Sequence, residues 1–148
     1  LVREAATELL RDHAVESEVW SVTSYGELRR LGMEHERKKR LNPGSKSIPY
    51  VSECFGDETP TIATSDYISS VPEMIQRWVG GRYVVLGTEG FGRSDSREAL
   101  RTFFEIDTNS VVIAALSALE QNGTLPPGTV QKEMKSRGVS SRRVDKTE

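Results

Sequence analysis

The residues best placed to do chemistry fall in one stretch, Leu86-Gly87-Thr88-Glu89-Gly90-Phe91-Gly92-Arg93-Ser94-Asp95-Ser96-Arg97. Glycine lacks a Cβ, so Gly87, Gly90 and Gly92 let the backbone approach a ligand or another domain closely. Ser94 opens a segment that turns helical, and a helix start offers unpaired N–H donors to an anion, with Arg93 and Arg97 beside it. Two nucleotide readings nevertheless lose. The spacing Gly87-x-x-Gly90-x-Gly92 reverses the dinucleotide fingerprint, and no lysine follows to complete a phosphate loop. Asp95 also puts a carboxylate in the first turn, where it already complements the helix dipole. A structural turn or domain-docking loop is therefore favoured over anion binding, with Gly87, Gly90, Gly92, Arg93, Ser94 and Arg97 as its candidate residues.

Other reactive side chains are sparse. His13 and His35 lie in segments that read as polar and exposed, and neither has a nucleophile or metal partner at a fixed spacing. Cys54 reads as a small core hydrophobe, and it rules out an internal disulfide framework because it is the single cysteine. Asp66, after a strand, could present a carboxylate at a sheet's C-terminal edge, but capping of the next helix explains it as well. Trp20 and Trp78 are expected in the core. No complete catalytic constellation emerges from the residues alone.

These positions must be held by alternating helices and strands. Val2, Ala5, Ala6, Leu9 and Leu10 recur at helical spacing, which predicts an amphipathic helix to about Asp12. Glu18 to Val22 reads as a strand, and Ser24 with Glu27 as a capping box opening two turns of helix that end near Gly32. The polar run Glu34 to Lys46 reads as a loop, and Pro49 to Gly56 as a short helix. Thr61 to Ser65 is a strand, with Ser65 or Asp66 capping a helix that Pro72 splits into Tyr67–Ser70 and Pro72–Val79. A strand from Tyr83 then feeds the glycine stretch. Asp107 or Thr108 caps the most apolar helix, to Gln121, and a final helix runs from Pro126-Pro127 to about Arg137 with Gly138 at its C-cap. This order implies an α/β layer fold with a mainly parallel sheet.

Composition sets the outer limits. At 148 residues the chain suits one domain, expected over 1–139, with a flexible tail over 140–148. Apolar residues make up 36%, charged ones 28%, and the net charge is −2. No apolar run approaches the roughly 18 residues of a membrane span, no secretory signal opens the chain, and a reducing cytoplasmic setting is expected. A start without methionine, inside a helix, reads as part of something longer. Arg37-Lys38-Lys39-Arg40 and the cluster from Arg137 to Arg143 read as solvated faces or tails, since no aromatic residues interleave for base stacking, so no nucleic-acid partner is expected.

The central stretch, Arg82 to Asp107, closely resembles the C-terminal domain of the homodimeric pyruvate dehydrogenase decarboxylating component, a transketolase-like thiamine diphosphate enzyme family. Val19 to Tyr25, Glu27-Leu28, Glu36-Arg37, Pro49-Tyr50-Val51, Ala63 to Tyr67 and Val111 to Leu116 match the same family in the same order. Lys38, where the family usually has tryptophan, and Glu89, where it has aspartate, depart from it. The resemblance implies a three-layer α/β/α domain whose five-stranded sheet has one antiparallel strand, with the first strand missing from this chain. It also implies a parent enzyme that uses thiamine diphosphate and magnesium, held by two preceding domains, to decarboxylate pyruvate and acetylate the lipoyl domain of an acyltransferase. This chain is then expected to bind no cofactor and to lack activity alone. Its partners would be those domains, the second subunit and the acyltransferase component. The alternative is a small-molecule or anion-binding regulatory module.

Overall fold

The computed structural model describes residues 1–140; the expected tail lies, from position 141 onward, outside the described residues. In chain order the elements are α1 (Val2–His13), α2 (Tyr25–Leu41), α3 (Tyr50–Phe55), β1 (Thr61–Thr64), α4 (Ser70–Glu73), a 3-10 turn (Gln76–Trp78), β2 (Tyr83–Leu86), α5 (Arg97–Phe103), α6 (Thr108–Gln121) and α7 (Thr129–Arg137). β1 and β2 pair in parallel, with Ala63 opposite Val85.

Side chains on a strand alternate between faces, and here the two faces meet different helices. Ile62 and Leu86 pack into a cluster built by Ala5 and Leu9 of α1 and Val111, Val112 and Leu116 of α6. Tyr83 joins the opposite cluster of Val51, Ile75 and Trp78, flanked by Tyr25 and Leu28 of α2. The result is an α/β/α sandwich, the fold class that the sequence implied, but among the described residues its sheet has two parallel strands where the resemblance implied five, the first of them outside this chain.

Local signals placed several helices where expected. Ser24 accepts the Glu27 N–H at 3.1 Å, and Asp107 accepts the Ser110 N–H at 2.9 Å. Gly138, with φ 65°, ends α7 in the left-handed conformation that glycine tolerates. α6 is as buried as its composition implied, with Val112 and Leu116 fully covered.

Elsewhere the structure corrects the sequence reading. α2 does not stop near Gly32 but continues to Leu41, through the run read as a loop. Arg30 bonds Glu27 at 2.6 Å and Glu34 at 3.2 Å, and Lys38 bonds Glu34 at 2.7 Å, so ion pairs one turn apart carry the helix where apolar spacing fails. Gly32 is buried because a Cβ there would come within 2.6 Å of the Trp78 ring. Glu18 to Val22 forms no strand: β-propensity needs a neighbour to pair with, and among the described residues only β1 and β2 pair. Trp20, expected in the core, is 47% exposed and touches Phe55 edge-on at 5.2 Å. The helix expected at Tyr67 begins only at Ser70, since the Ser65 hydroxyl accepts the Tyr67 N–H at 3.1 Å and makes a turn instead.

The residues Arg97–Gln121 have the length and mean hydropathy, 1.2, of a membrane span. They form two helices, because Glu105 adopts a left-handed φ of 57° between α5 and α6, and α6 is the core helix.

The last helix is fixed by charge. Arg137 binds Glu8 of α1 at 2.6 Å, Glu133 at 2.6 Å and the Asn109 side chain at 2.9 Å. His13 approaches Glu133 at 3.4 Å. Neither Arg137 nor His13 is solvated as the sequence suggested: their side chains are 13% and 15% exposed. At the other end, the Glu120 carboxylate accepts the Gly128 and Val130 N–H groups at 2.9 and 2.8 Å, and these bonds hold it below the usual carboxylate range.

Burial pushes the Glu133 carboxyl up, but the hydrogen bond and charge of Arg137, with His13, outweigh it and hold the group below its ordinary value. A carboxylate with a depressed folded-state value stabilises the fold fully above about pH 4.3 and loses that contribution as pH falls through the folded value. Undocking of α7 on acidification should therefore begin below about pH 4.3, read by slowed-exchange protection of its amides. Arg137→Met should destabilise by about 1–3 kcal/mol in urea unfolding, since it strands the carboxylates it now pairs. Unchanged unfolding would show that the cluster carries no weight.

Candidate functional site

The glycine stretch leaves β2 at the sheet's carboxyl end and is sewn there to the loop that leaves β1. Ser65 N–H donates to the Leu86 carbonyl at 3.0 Å, Thr88 N–H to the Tyr67 carbonyl at 3.0 Å, and the Thr88 hydroxyl to the Asp66 carbonyl at 3.1 Å. Glu89 accepts the Ser69 N–H at 2.9 Å. Two loops that follow parallel neighbouring strands thus act as one ridge, at the edge where ligands and partners bind in α/β sheets.

The candidate glycines are not equivalent. Gly87 is buried with its Cα against the other loop: a Cβ there would lie 2.6 Å from the Ser69 nitrogen and 2.9 Å from the Tyr67 carbonyl oxygen. Gly90 takes φ 88°, which only glycine adopts freely. Gly92 has nothing within 4 Å of where its Cβ would be and a φ outside the left-handed region, so neither space nor backbone demands glycine there.

Beyond Glu89 the loop faces outward. Phe91 is 80% exposed, and on the partner loop Tyr67 and Ile68 are 71% and 50% exposed. Arg93 turns back onto α5, its guanidinium 4.4 Å from the Phe103 ring centroid, a cation–π contact. Arg93, Ser96 and Phe103 line an open groove of about 690 Å³, where Asp95 and Glu98 add carboxylates. The helix start is already satisfied internally: Asp95 accepts the Ser96 N–H at 2.7 Å, and Ser96, the N-cap, accepts that of Ala99 at 3.2 Å. Ser94 and Arg97 are exposed beside it. The structure ties the loop from Gly87 to Glu89, carries Gly90 and Arg93 beyond those bonds, and leaves Ser94 and Arg97 exposed past them.

The remaining candidates stand apart. Asp66 meets the loop through its backbone carbonyl. Cys54 is half-buried on α3, His35 half-buried on α2, and His13 belongs to the α7 cluster. Among the described residues, no three histidine, cysteine or acidic side chains converge to hold a metal ion. Sequence reasoning missed the Ser65–Ser69 half of the ridge, although Tyr67 and Ile68 next to a predicted strand end were a readable sign of it.

The transketolase-like TK C-terminal domain family matches residues 1–107. The chain is 48% identical over 141 residues to the "Pyruvate dehydrogenase E1 component" of Pseudomonas aeruginosa, covering 93% of this chain and 16% of that protein. It is 45% identical over 126 residues to the protein of the same name from Escherichia coli K12, covering 84% and 14%, and 44% identical over 125 residues to that of Mycobacterium tuberculosis, covering 83% and 13%. It therefore spans about one-sixth of the length of the Pseudomonas protein. Matched from Leu1 to Asp107, this chain belongs to the transketolase-like C-terminal domain family.

Proposed function

We propose that this chain is the C-terminal domain of a cytoplasmic, homodimeric pyruvate dehydrogenase E1-type enzyme, and that its work is to pack against the rest of that enzyme. In the parent, thiamine diphosphate and magnesium serve pyruvate decarboxylation and acetyl transfer to the acyltransferase's lipoyl domain. The observation that carries the reading is the ridge itself: Phe91, Tyr67 and Ile68 stand exposed on two loops whose backbones are tied together, the geometry of a rigid apolar docking edge. Hot-spot residues at protein interfaces are of this kind, large aromatic side chains on a preorganised base.

The groove beside the ridge does not fit the cofactor. A magnesium diphosphate needs carboxylate or carbonyl ligands around the metal and cations around the phosphates. Here Arg93 lies over Phe103, and the other charged side chains lining the groove are the carboxylates of Asp95 and Glu98, which repel phosphates. No chemical step is assigned to the chain.

The sheet supports the same reading. Thr61 and Ser65 donate toward β2, so by alternation the amides of Ile62 and Thr64 point to the other edge of β1, where the described residues supply no strand. In the parent enzyme a further strand is expected on that edge.

Three outcomes test this. In the parent enzyme, Phe91→Ser with Tyr67→Ser should weaken assembly by about 2 kcal/mol or more, seen as dimer dissociation at higher protein concentration together with lost turnover. Unchanged assembly and turnover would remove the docking role, and phosphate-dependent shifts confined to Arg93, Ser94 and Arg97 would point to the regulatory-module alternative. Amides of Ile62 and Thr64 should exchange at least about fivefold more slowly in the parent than in this chain alone, one more ladder being worth about 1 kcal/mol or more per bond. Purified chain supplied with pyruvate, thiamine diphosphate and magnesium should release no carbon dioxide, and turnover there would refute the reading.

A further inference from the structure

α2 carries six of the chain's twenty lysines and arginines but three of its twenty-two acidic residues, so a chain of net charge −2 concentrates positive charge on one helix. The helix sorts these charges by face. Tyr25, Leu28 and Gly32 turn inward toward Trp78, and Glu36 is spoken for twice, accepting the Trp78 indole N–H at 2.9 Å and pairing Arg77 at 3.1 Å. On the far side, Glu27, Arg30, Glu34 and Lys38 neutralise one another in a continuous ladder. Between them runs a flank whose arginines make no ion pair among the described residues.

That flank is Arg29, Met33, Arg37 and Arg40. At 100° per residue these four fall within about 80° of one another, along roughly 16 Å of helix. All four are exposed, and none of the three arginines has an acidic partner among the described residues. The helix dipole accounts for cations in the last turn, but it gives no advantage to Arg29, two residues beyond Glu27 near the helix start. Met33, 38% exposed, sits in the middle of the stripe with its sulfur 3.8 Å from the Arg77 guanidinium. Guanidinium groups bind carboxylates through two parallel bonds, and methionine adapts to apolar side chains of varied shape.

We propose that the Arg29–Met33–Arg37–Arg40 flank of α2 is a docking surface for an acidic protein segment that carries an apolar side chain for Met33. It is separate from the ridge at the sheet's carboxyl end and stands whether or not that ridge docks. Charge complementarity specifies carboxylates. A single-stranded nucleic acid is the weaker fit, because no aromatic residue lies in the stripe to stack a base and the rest of the chain carries more carboxylates than cations.

The test uses the full-length protein that contains this chain and a fluorescein-labelled peptide of roughly sixteen residues, long enough to run the stripe as a helix, with glutamates and leucines on one face. Fluorescence anisotropy should show saturable binding that weakens with added salt. Arg37→Glu with Arg40→Glu should weaken it at least about tenfold, and Met33→Ser severalfold, with the circular dichroism of both proteins unchanged. A peptide with serine in place of each leucine should bind more weakly than the original. Absence of binding at about 1 mM, or affinity indifferent to both substitutions, overturns the proposal. So does oligodeoxythymidylate of equal charge binding as tightly and competing, which would assign the stripe to nucleic acid.

Discussion

Eight residues of paired strand cannot hold a domain together, and that shortage governs the rest of this structure. β1 and β2 contribute four residues each and pair only with one another among the described residues. Isolated pairs of strands are marginal in water, and parallel ones persist only with both faces covered. The cover must therefore be apolar and close. On one face it is α6, whose Val111, Val112, Leu116 and Ala118 are buried on more than one side because α1 and the sheet both lean on it. On the other it is Trp78, which gains its place because Gly32 offers α2's bare backbone to the indole ring. Fully burying one side chain of this size is worth about 1.5–3 kcal/mol, so a handful of such contacts outweighs what the strands can supply.

The same economy of structure shapes the ridge. A loop that leaves a strand is ordinarily free to move, and two neighbouring loops move separately. Here Gly87 lets one backbone rest on the other, and the bonds from Thr88 and Glu89 to Asp66, Tyr67 and Ser69 close the gap. The bonds between the loops end at Glu89. Phe91 lies past Gly90, whose positive φ turns the chain outward, so the apolar tip is presented by a fixed base. A side chain at position 87 would separate the loops before it affected the tip.

What could be read in the sequence follows from the reach of each interaction. Ser24, Asp107 and Gly138 act within three residues of themselves, and all three were legible as caps. The α2 extension was equally local, since Glu27, Arg30, Glu34 and Lys38 stand three and four apart, but a search for apolar periodicity passes over a helix held by charge. Arg137 was misread for the opposite reason: its partners Glu8 and Asn109 are 129 and 28 positions away, and no local pattern announces them. Glu18 to Val22 has the residue types of a strand, yet a strand exists only with a partner at its edge. In the glycine stretch, the spacing identified a turn, but it could not separate Gly87, needed for space, from Gly92, needed for neither space nor backbone.

The extent of the family match raises a physical question that the packing answers. The match ends at Asp107, the residue that caps α6, so the most buried helix lies wholly beyond it. Yet Ala5 and Leu9, inside the matched part, are buried by Val111, Val112 and Leu116, outside it. Removing α6 would strip one face of the sheet and expose α1 along its apolar stripe. α7 in turn is bound to α6 through Glu120 and Asn109 and to α1 through Glu8. Without α6 and α7, the matched stretch leaves Ala5, Leu9 and one face of the sheet without the side chains that bury them here. α1 needs α6 for its core, α6 and α1 share α7 through Arg137, and the ridge inherits its position from the sheet that α6 covers.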